Sequence, residues 1–207
     1  MLSYLMEYLI LGFFTGLSLI LAIGAQNIFV IEQGLKKQHI FLICFVCSIS
    51  DLILIFLGIF LFHYFIQYFN STIELIFNIL LIIFLVHFIY SKIKTYNSKV
   101  NFNSDIKDVS KSDILLKTLG FTYLNPHVYS ETVFFLGNFS KIFILNQKIS
   151  FGIGASIASF LFFFLIGYLS KYLSKYAQIE KIWKIINIFI IVFMSFLTFF
   201  VFLEIVN

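Results

Sequence analysis

The chain has 207 residues, of which 61% are hydrophobic and only 12% carry a charge. Water-soluble domains contain about 25% charged residues, so this composition excludes an ordinary soluble protein. A helix needs about 20 apolar residues to cross a bilayer. Six crossings would therefore use about 120 residues and leave no room for a separate soluble domain.

Six apolar stretches follow one another along the chain, each long enough to span a membrane as a helix. Strands are not expected, because these stretches are apolar on every side. The predicted fold is therefore an all-α membrane protein with six transmembrane helices. The predicted spans are residues 9–31, 40–62, 73–90, 115–138, 149–169 and 185–203.

Lysine residues are distributed unevenly between these spans. All 14 basic residues are lysines, the net charge is +4, and eleven of the lysines lie in the connections after spans 1, 3 and 5. Because cytoplasmic loops are enriched in lysine and arginine, these connections are predicted to face the cytoplasm and both termini to face outward. Nucleic acid is not expected as a partner, since the positive charge follows the membrane topology.

A polar segment, residues 91–113, divides the chain into two halves. It is rich in Ser, Asn, Lys and Asp, which is typical of a flexible cytoplasmic linker. The predicted organisation is a single transporter domain over residues 1–207, with halves at 1–90 and 114–207. Three spans in each half place the halves in opposite orientations. We therefore expect a 3+3 inverted repeat with the binding site between the halves.

The first span contains polar residues in an otherwise apolar run. Gly24 allows the backbone to unwind or to approach another group closely, and Gln26 and Asn27 add amide donors and acceptors. These amides either contribute to a substrate site or form interhelical hydrogen bonds worth about 1 kcal/mol each. We predict a backbone break at Gly24 and place Gln26 and Asn27 in the candidate site.

Span 4 contains the only proline of the chain, Pro126. Proline breaks a continuing helix and is favoured at the first position of a new one. Asn125 would then be the N-cap of a second half-helix, whose N-terminus attracts a carboxylate. The alternative is a kink that only shapes packing. In the resumed helix, His127 and Glu131 are four residues apart and share a face.

Ionisable residues within the spans are the strongest indication of a site. Asp51 lies near the centre of span 2, where a carboxylate costs about 2.5 to 3.5 kcal/mol. Glu131 lies well inside span 4. Such residues line substrate or proton pathways, unless they are protonated or paired with Lys117 or a tyrosine.

Two further patterns concern small side chains. Cys44 and Cys47 in span 2 have the C-x-x-C spacing of thiol redox or zinc sites, but no second pair exists. We interpret them as packing residues. Span 5 carries a run of small residues that Gly12 and Gly16 of span 1 match. This pattern permits close helix contact, either between the halves or between the protomers of a homodimer.

These motifs resemble those of the lysine exporter family, and in particular of its lysine and arginine exporter branch. The similar segments are Gly-Ala-Gln-Asn-Ile-Phe-Val at 24–30, Ser-Asp at 50–51, and Leu-Asn-Pro-His-Val-Tyr at 124–129 with Glu-Thr at 131–132. The resemblance covers most of the chain. The sequence departs from the family at Glu131, where aspartate is more frequent, at Asn187, where an acidic residue is expected, and in its lack of arginine.

The resemblance implies a secondary-active exporter of lysine or arginine in the inner membrane of a bacterium, and not an enzyme. Export would be coupled to protons or to the membrane voltage, as in an antiporter, with no cofactor and no resident metal. The absence of a P-loop motif from the sequence agrees with this.

For such an exporter, we hypothesise the following roles for the site residues. The two carboxylates would hold the two cationic groups of the substrate, the half-helix start in span 4 would receive its carboxylate, and the amides of span 1 would orient the backbone. Protonation of a carboxylate or of the histidine would help to release the substrate. The residues assigned to binding or coupling are Gln26, Asn27, Asp51, Asn125, Pro126, His127 and Glu131.

Three alternatives remain open. An efflux transporter for divalent metals or other small cations would use Cys44, Asp51, His127 and Glu131 as ligands. A membrane thiol oxidoreductase would pass electrons through Cys44 and Cys47. A subunit that only binds other membrane proteins would do so through spans 1 and 5.

Overall fold

The computed structural model describes residues 2–21, 24–68, 71–95, 110–177 and 179–206, and within these ranges the chain forms helices and no strands. Residues 96–109 of the predicted linker lie outside the described residues. In chain order, the helices are α1 (Leu2–Ile20), α2 (Ala25–Leu35), α3 (Ile40–Tyr68), α4 (Ser71–Thr95), α5 (Lys111–Tyr123), α6 (Pro126–Tyr129), a π-helix (Ser130–Phe135), α7 (Leu136–Phe139), α8 (Leu145–Ala177) and α9 (Glu180–Val206).

Three described segments are long and apolar enough to cross a membrane singly, namely Ile40–Phe62, Leu145–Tyr176 and Lys181–Leu203. A fourth span is formed if the bent pair Leu5–Ile20 and Ala25–Leu35, whose axes differ by 82°, is counted as one. These segments contain predicted spans 2, 5, 6 and 1. The all-helical, multi-pass class is therefore confirmed.

The other two predicted spans are helical but do not form such a segment within the described residues. Residues 73–90 belong to α4, and residues 115–138 are divided among α5, α6, the π-helix and α7. The division occurs at Pro126, because proline has no N–H to continue the helix and its ring clashes with the preceding turn. The count of six spans stays a prediction.

Large apolar side chains cover the outer faces of the long helices. Phe14, Ile83, Leu165 and Phe196, on four different helices, are each 61–63% exposed. A soluble monomer rarely exposes extensive apolar surface, whereas lipid tails accommodate it. The surface of the molecule thus agrees with the composition of the chain.

Helices of the first half pack on helices of the second half. α1 and α2 pack on α8, α3 packs on α5, the π-helix, α7 and α8, and α4 packs on α9. Glycines permit the closest approaches: Gly12 of α1 lies against the backbone of Phe151, and Gly154 of α8 lies against the backbone of Leu9 and Phe13. Small residues therefore allow close contact between helices of the two halves, which is one of the two possibilities predicted from the sequence.

α2 lies at the centre of the molecule, and ten of its eleven residues are buried. Phe29, in the middle of α2, stacks on Phe121 of α5 with ring centroids 4.8 Å apart. Phe84 and Phe88 of α4 contact the same Phe121 ring at 4.7 and 5.0 Å. This aromatic cluster fixes the middle of α2 and leaves its two ends next to cavities.

Candidate functional site

The start of α2 forms one side of the candidate site. Gly24 precedes the helix in an extended conformation (φ −111°, ψ −178°), and no side chain caps the helix there. The side chain of Asn27 reaches back across the break, where its Nδ2 donates to the carbonyl of Ile20 at 3.1 Å. Asn27 thus satisfies a carbonyl at the end of α1, while the uncapped first turn of α2 carries the positive end of the helix dipole.

The backbone at Gly24 does not itself require glycine. Its φ and ψ are accessible to any residue, and a Cβ atom added there would meet no atom within 4 Å. The space in front of Gly24 belongs to the cavity described below. The absence of a side chain therefore keeps that space open.

The start of α6 forms the opposite side of the site. Asn125 Oδ1 accepts a hydrogen bond of 3.2 Å from the backbone N–H of His127, which is the geometry of an N-cap. Pro126 is the first residue of α6, and the chain then continues through the π-helix that contains Glu131. π-Helical turns are rare and occur frequently at functional sites.

The two helix starts meet at one cavity of about 60 Å³, here called the central cavity. Pro126 is not among the lining residues, but as the first residue of α6 it determines where this helix begins. Every other residue assigned to the site from the sequence lines this cavity directly, namely Gly24, Gln26, Asn27, Asp51, Asn125, His127 and Glu131.

Two carboxylates face the central cavity. Asp51 is buried, and its Oδ2 accepts a hydrogen bond of 2.8 Å from Ser159 Oγ of α8. Asp51 and Glu131 are close enough to interact electrostatically. Within the described part of the chain, neither carboxylate forms an ion pair, with Lys117 or with any other residue. The cavity therefore attracts a cation or a proton.

Gln26 also lines the central cavity. Its Nε2 is buried without a hydrogen-bond partner among the described residues, and the thiol of Cys47, a weak acceptor, lies beside the Gln26 side chain. An unsatisfied buried donor costs about 1–3 kcal/mol. Rotation of the Gln26 side chain would bring this donor to a carboxylate oxygen in the cavity.

A larger and mostly apolar chamber of about 310 Å³ adjoins the central cavity. The two spaces share Gly24, Asn125, His127 and Glu131 as wall residues. The His127 ring lies 6.4 Å from the ring of Phe200. The other walls of this apolar chamber come from α2, α4 and α9, namely Ala25, Leu81, Leu85, Phe196, Leu197, Phe200 and Val201.

Neither cysteine lines the central cavity or the apolar chamber, although Cys47 is close enough to Gln26 and Asp51 to interact with them. Cys44 and Cys47 are buried in the main apolar core, and Cys44 Sγ donates to the carbonyl of Phe163 at 3.2 Å. Across the described ranges, no three His, Cys, Asp or Glu side chains are grouped as metal ligands. The structure thus gives the cysteines a packing role and favours neither the metal alternative nor the thiol alternative.

Sequence reasoning missed a buried ion-pair cluster at the other end of α2. Glu32 is 1% exposed, and its Oε1 accepts hydrogen bonds from Lys36 Nζ and, at 2.5 Å, from Lys92 Nζ. Lys92 Nζ also donates to Asn187 Oδ1 at 3.2 Å. The spacing of Glu32 and Lys36 by four residues was the available signal. Lys92 lies 60 residues away from Glu32 and joins only through the fold.

A helical, multi-pass protein whose polar cavity lies where two interrupted helices begin has the architecture of a membrane transporter. The chain belongs to the LysE type translocator family, whose model matches residues 17–204. This confirms the resemblance that the motifs suggested, and it makes the chain a translocator and not an enzyme.

Two curated relatives match most of the chain. The arginine exporter protein ArgO of Salmonella typhimurium strain LT2 is 32% identical over 94% of this chain and 93% of its own. The arginine exporter protein ArgO of Pectobacterium atrosepticum is 30% identical over 86% of this chain and 88% of its own. No solved structure gives a significant match to the chain.

Proposed function

We propose that this protein exports arginine or lysine across the inner membrane of a bacterium, as one transporter domain spanning residues 1–207. The observation that carries this proposal is the pair of carboxylates, Asp51 and Glu131, which face one cavity and form no ion pair within the described part of the chain. The similarity to proteins named arginine exporters supports the choice of a basic amino acid.

The central cavity is suited to the head group of an amino acid. The substrate carboxylate binds at the uncapped start of α2, next to Gln26 Nε2, and the α-ammonium binds to Asp51. This differs from the expectation that the start of α6 receives the carboxylate. The start of α6 is less suited to the carboxylate, because Asn125 Oδ1 already accepts a hydrogen bond from the N–H of His127, whereas no side chain caps α2.

The apolar chamber is suited to the side chain. Arginine and lysine carry long aliphatic stems that pack on apolar surface while the charged end stays in a polar environment. Leu85 and Phe200 line the chamber, and Glu131 stands in the wall between it and the central cavity. Glu131 therefore binds the side-chain cation, so that two anions match two cations.

We also propose a 3+3 inverted repeat, with both termini facing outward. In this repeat, α1 with α2 corresponds to the stretch from α5 to α7, α3 corresponds to α8, and α4 corresponds to α9. The packing of α1 and α2 on α8 then corresponds to the packing of α5, the π-helix and α7 on α3. The contacts α3–α8 and α4–α9 then correspond to themselves, and the contact α2–α9 corresponds to α4–α6. This correspondence supports a twofold relation between the halves, and in such an arrangement the binding site is expected where the halves meet.

Coupling to protons is the final part of the proposal. Asp51, Glu131 and His127 all line the space that the substrate fills. A proton taken up from outside by one of these groups would remove a negative charge or add a positive one. Either change weakens the binding of a cationic substrate and would drive proton exchange.

Purified protein in sealed lipid vesicles provides the test. Vesicles loaded with labelled arginine should lose it through the protein, lysine should compete, and leucine should be transported at least about tenfold less. The reason is that leucine leaves one carboxylate without a cation, and a buried unsatisfied charge costs about 1–3 kcal/mol or more. Leucine transport equal to arginine transport would contradict the proposal, as would the absence of arginine release.

A further inference from the structure

A second cavity, of about 260 Å³ and here called the basic cavity, lies at the end of α2. Its basic wall residues come from three parts of the fold: Lys36 follows α2, His87 and Lys92 belong to α4, and Lys117 belongs to α5. Among the described residues of this wall, Glu32 is the only acidic one. Three lysines therefore face a single carboxylate, which makes the cavity positively charged.

The carboxylate of Glu32 does not balance the lysines around it. Lys36 and Lys92 both donate to the same oxygen, Glu32 Oε1. Lys92 Nζ also donates to Asn187 Oδ1 at 3.2 Å, but this amide oxygen belongs to a neutral group. Two ammonium groups thus share one carboxylate, and one positive charge is left in excess. Because removing a charge from water is costly unless an opposite charge is near, such a cluster favours the binding of an anion.

Lys117 adds a further positive charge to the wall. It is exposed on α5, and within the described ranges it forms no hydrogen bond or ion pair. His87 and Ser91 of α4 are also exposed in this wall, and their side chains can donate hydrogen bonds. An anion with several oxygen atoms can accept from donors on different helices at once. A phosphate group has this form.

The position of the basic cavity along the helices agrees with a phosphate ligand. Span 3 is predicted to end at residue 90, so Lys92 lies at the expected membrane surface, and the positive-inside pattern predicts that this is the cytoplasmic surface. Ile83 of α4 and Leu116 of α5 are exposed apolar residues on the two helices that border the cavity. Basic pockets between helices at this level bind lipid head groups.

We propose that the basic cavity binds a phosphate group, with Lys36 and Lys117 as its charged partners. The phosphate belongs either to the head group of an anionic phospholipid or to a soluble phosphate, since the cavity offers the same charges to both. A bound phosphate supplies the negative charge that the lysine cluster lacks. The site is distinct from the proposed substrate site, because the basic cavity shares no wall residue with the central cavity or the apolar chamber.

The chain contains its own reporter for this site. Trp183 is the only tryptophan, and the Nζ atoms of Lys36 and Lys92 both lie 5.9 Å from its ring centre. A phosphate beside these lysines changes the charge next to the indole and hence the fluorescence of Trp183. Titration of the purified full chain with inorganic phosphate, in neutral detergent at constant ionic strength, should therefore give a saturable change in fluorescence.

A second arm distinguishes the two sources of phosphate. The full chain is placed in phosphatidylcholine vesicles without inorganic phosphate, and the fraction of phosphatidylglycerol is raised. A saturable change in Trp183 fluorescence there identifies the lipid head group as a ligand, whereas a response to inorganic phosphate alone identifies a soluble phosphate. Either result supports the site, and the absence of a response in both arms would overturn the inference.

A variant at the rim tests whether the response comes from this cavity. Lys117→Ala should weaken binding of the responding ligand by roughly two- to fivefold, as expected for one lysine at an exposed site or near a lipid surface. Lys111→Ala removes an exposed lysine on the same helix and outside the cavity wall, and it should bind as wild type does. Equal binding by the two variants would overturn the assignment.

A variant at Asn187 tests the charge imbalance without changing the cavity wall, since Asn187 is not one of the wall residues. Asn187→Asp keeps the size of the side chain and places a carboxylate beside Lys92 Nζ. The cluster then carries its own second negative charge, so binding of the phosphate should weaken by roughly fivefold. Binding by Asn187→Asp as tight as that of wild type would contradict the inference.

Discussion

Gly24 stands where the central cavity and the apolar chamber meet, and it controls the space between them through its lack of a side chain. Gly24→Leu should fold, because the backbone conformation at this position is accessible to any residue. The new side chain would fill the space that the substrate needs. Overfilling a site costs about 1–3 kcal/mol, which corresponds to roughly a 5- to 150-fold loss of affinity.

The corresponding measurement is the concentration dependence of arginine export by Gly24→Leu and Gly24→Ala in vesicles. Gly24→Ala adds one methyl group with no atom within 4 Å and should remain close to wild type. Equal apparent affinities for arginine in the two variants would show that the substrate does not pass Gly24.

At the scale of single residues, the sequence was most informative where a polar group interrupts an apolar run. Asp51, Gln26 and Asn125 were recognised for that reason, and all three line the central cavity. Ser159 belongs to the run of small residues in span 5, for which the sequence predicts only close helix contact, yet it donates to Asp51. Glu32 was overlooked because it follows the apolar run of span 1, and sequence position alone did not show that the fold buries it.

At the scale of helices, the contact between α1 and α8 depends on glycine. A Cβ atom on Gly154 would overlap the carbonyl of Leu9, which belongs to the backbone of α1 and cannot move without the helix. A Cβ atom on Gly152, one half-turn earlier, would meet only the ends of the Ile59 and Phe56 side chains. Gly154 is therefore a suitable position for testing this contact, and Gly152 is its control.

Gly154→Ala should destabilise the protein by about 1–3 kcal/mol, since α1 must shift away from α8. Gly152→Ala should be neutral or stabilising by up to about 1 kcal/mol, because alanine favours the helix over glycine and flexible side chains can adjust. Thermal unfolding of the two proteins in the same detergent distinguishes them. A Gly154→Ala protein at least as stable as Gly152→Ala would show that the helices do not pack this closely.

Helix breaks were predictable where local chemistry determines them. Pro126 cannot continue α5, and Asn125 is a good N-cap, so the start of α6 follows from two adjacent residues. The π-helix at Ser130–Phe135 was not predictable, because no single residue type requires one. The stretch 115–138 is therefore more strongly interrupted than its composition suggests.

Within the whole molecule, α2 has three different surroundings along its length. The start of α2 faces the central cavity, its middle packs against Phe84, Phe88 and Phe121, and its end carries the Glu32 ion pairs. If the substrate moves along α2 during export, these packed rings must separate. Alternating access to the central cavity would then involve movement of α4, which contributes two of these rings, relative to α2.

In the proposed mechanism, the Asp51 carboxylate holds a cationic group of the substrate during export. The most direct test is arginine export from vesicles containing Asp51→Asn, with Asp113→Asn as the control, because Asp113 is exposed at the start of α5 and lies away from the cavity. Asp51→Asn should export arginine at least about tenfold more slowly than wild type, since a hydrogen bond to a charged group is worth about 1.5–3 kcal/mol. Asp113→Asn should export arginine at the wild-type rate, and normal export by a folded Asp51→Asn protein would contradict the proposed site.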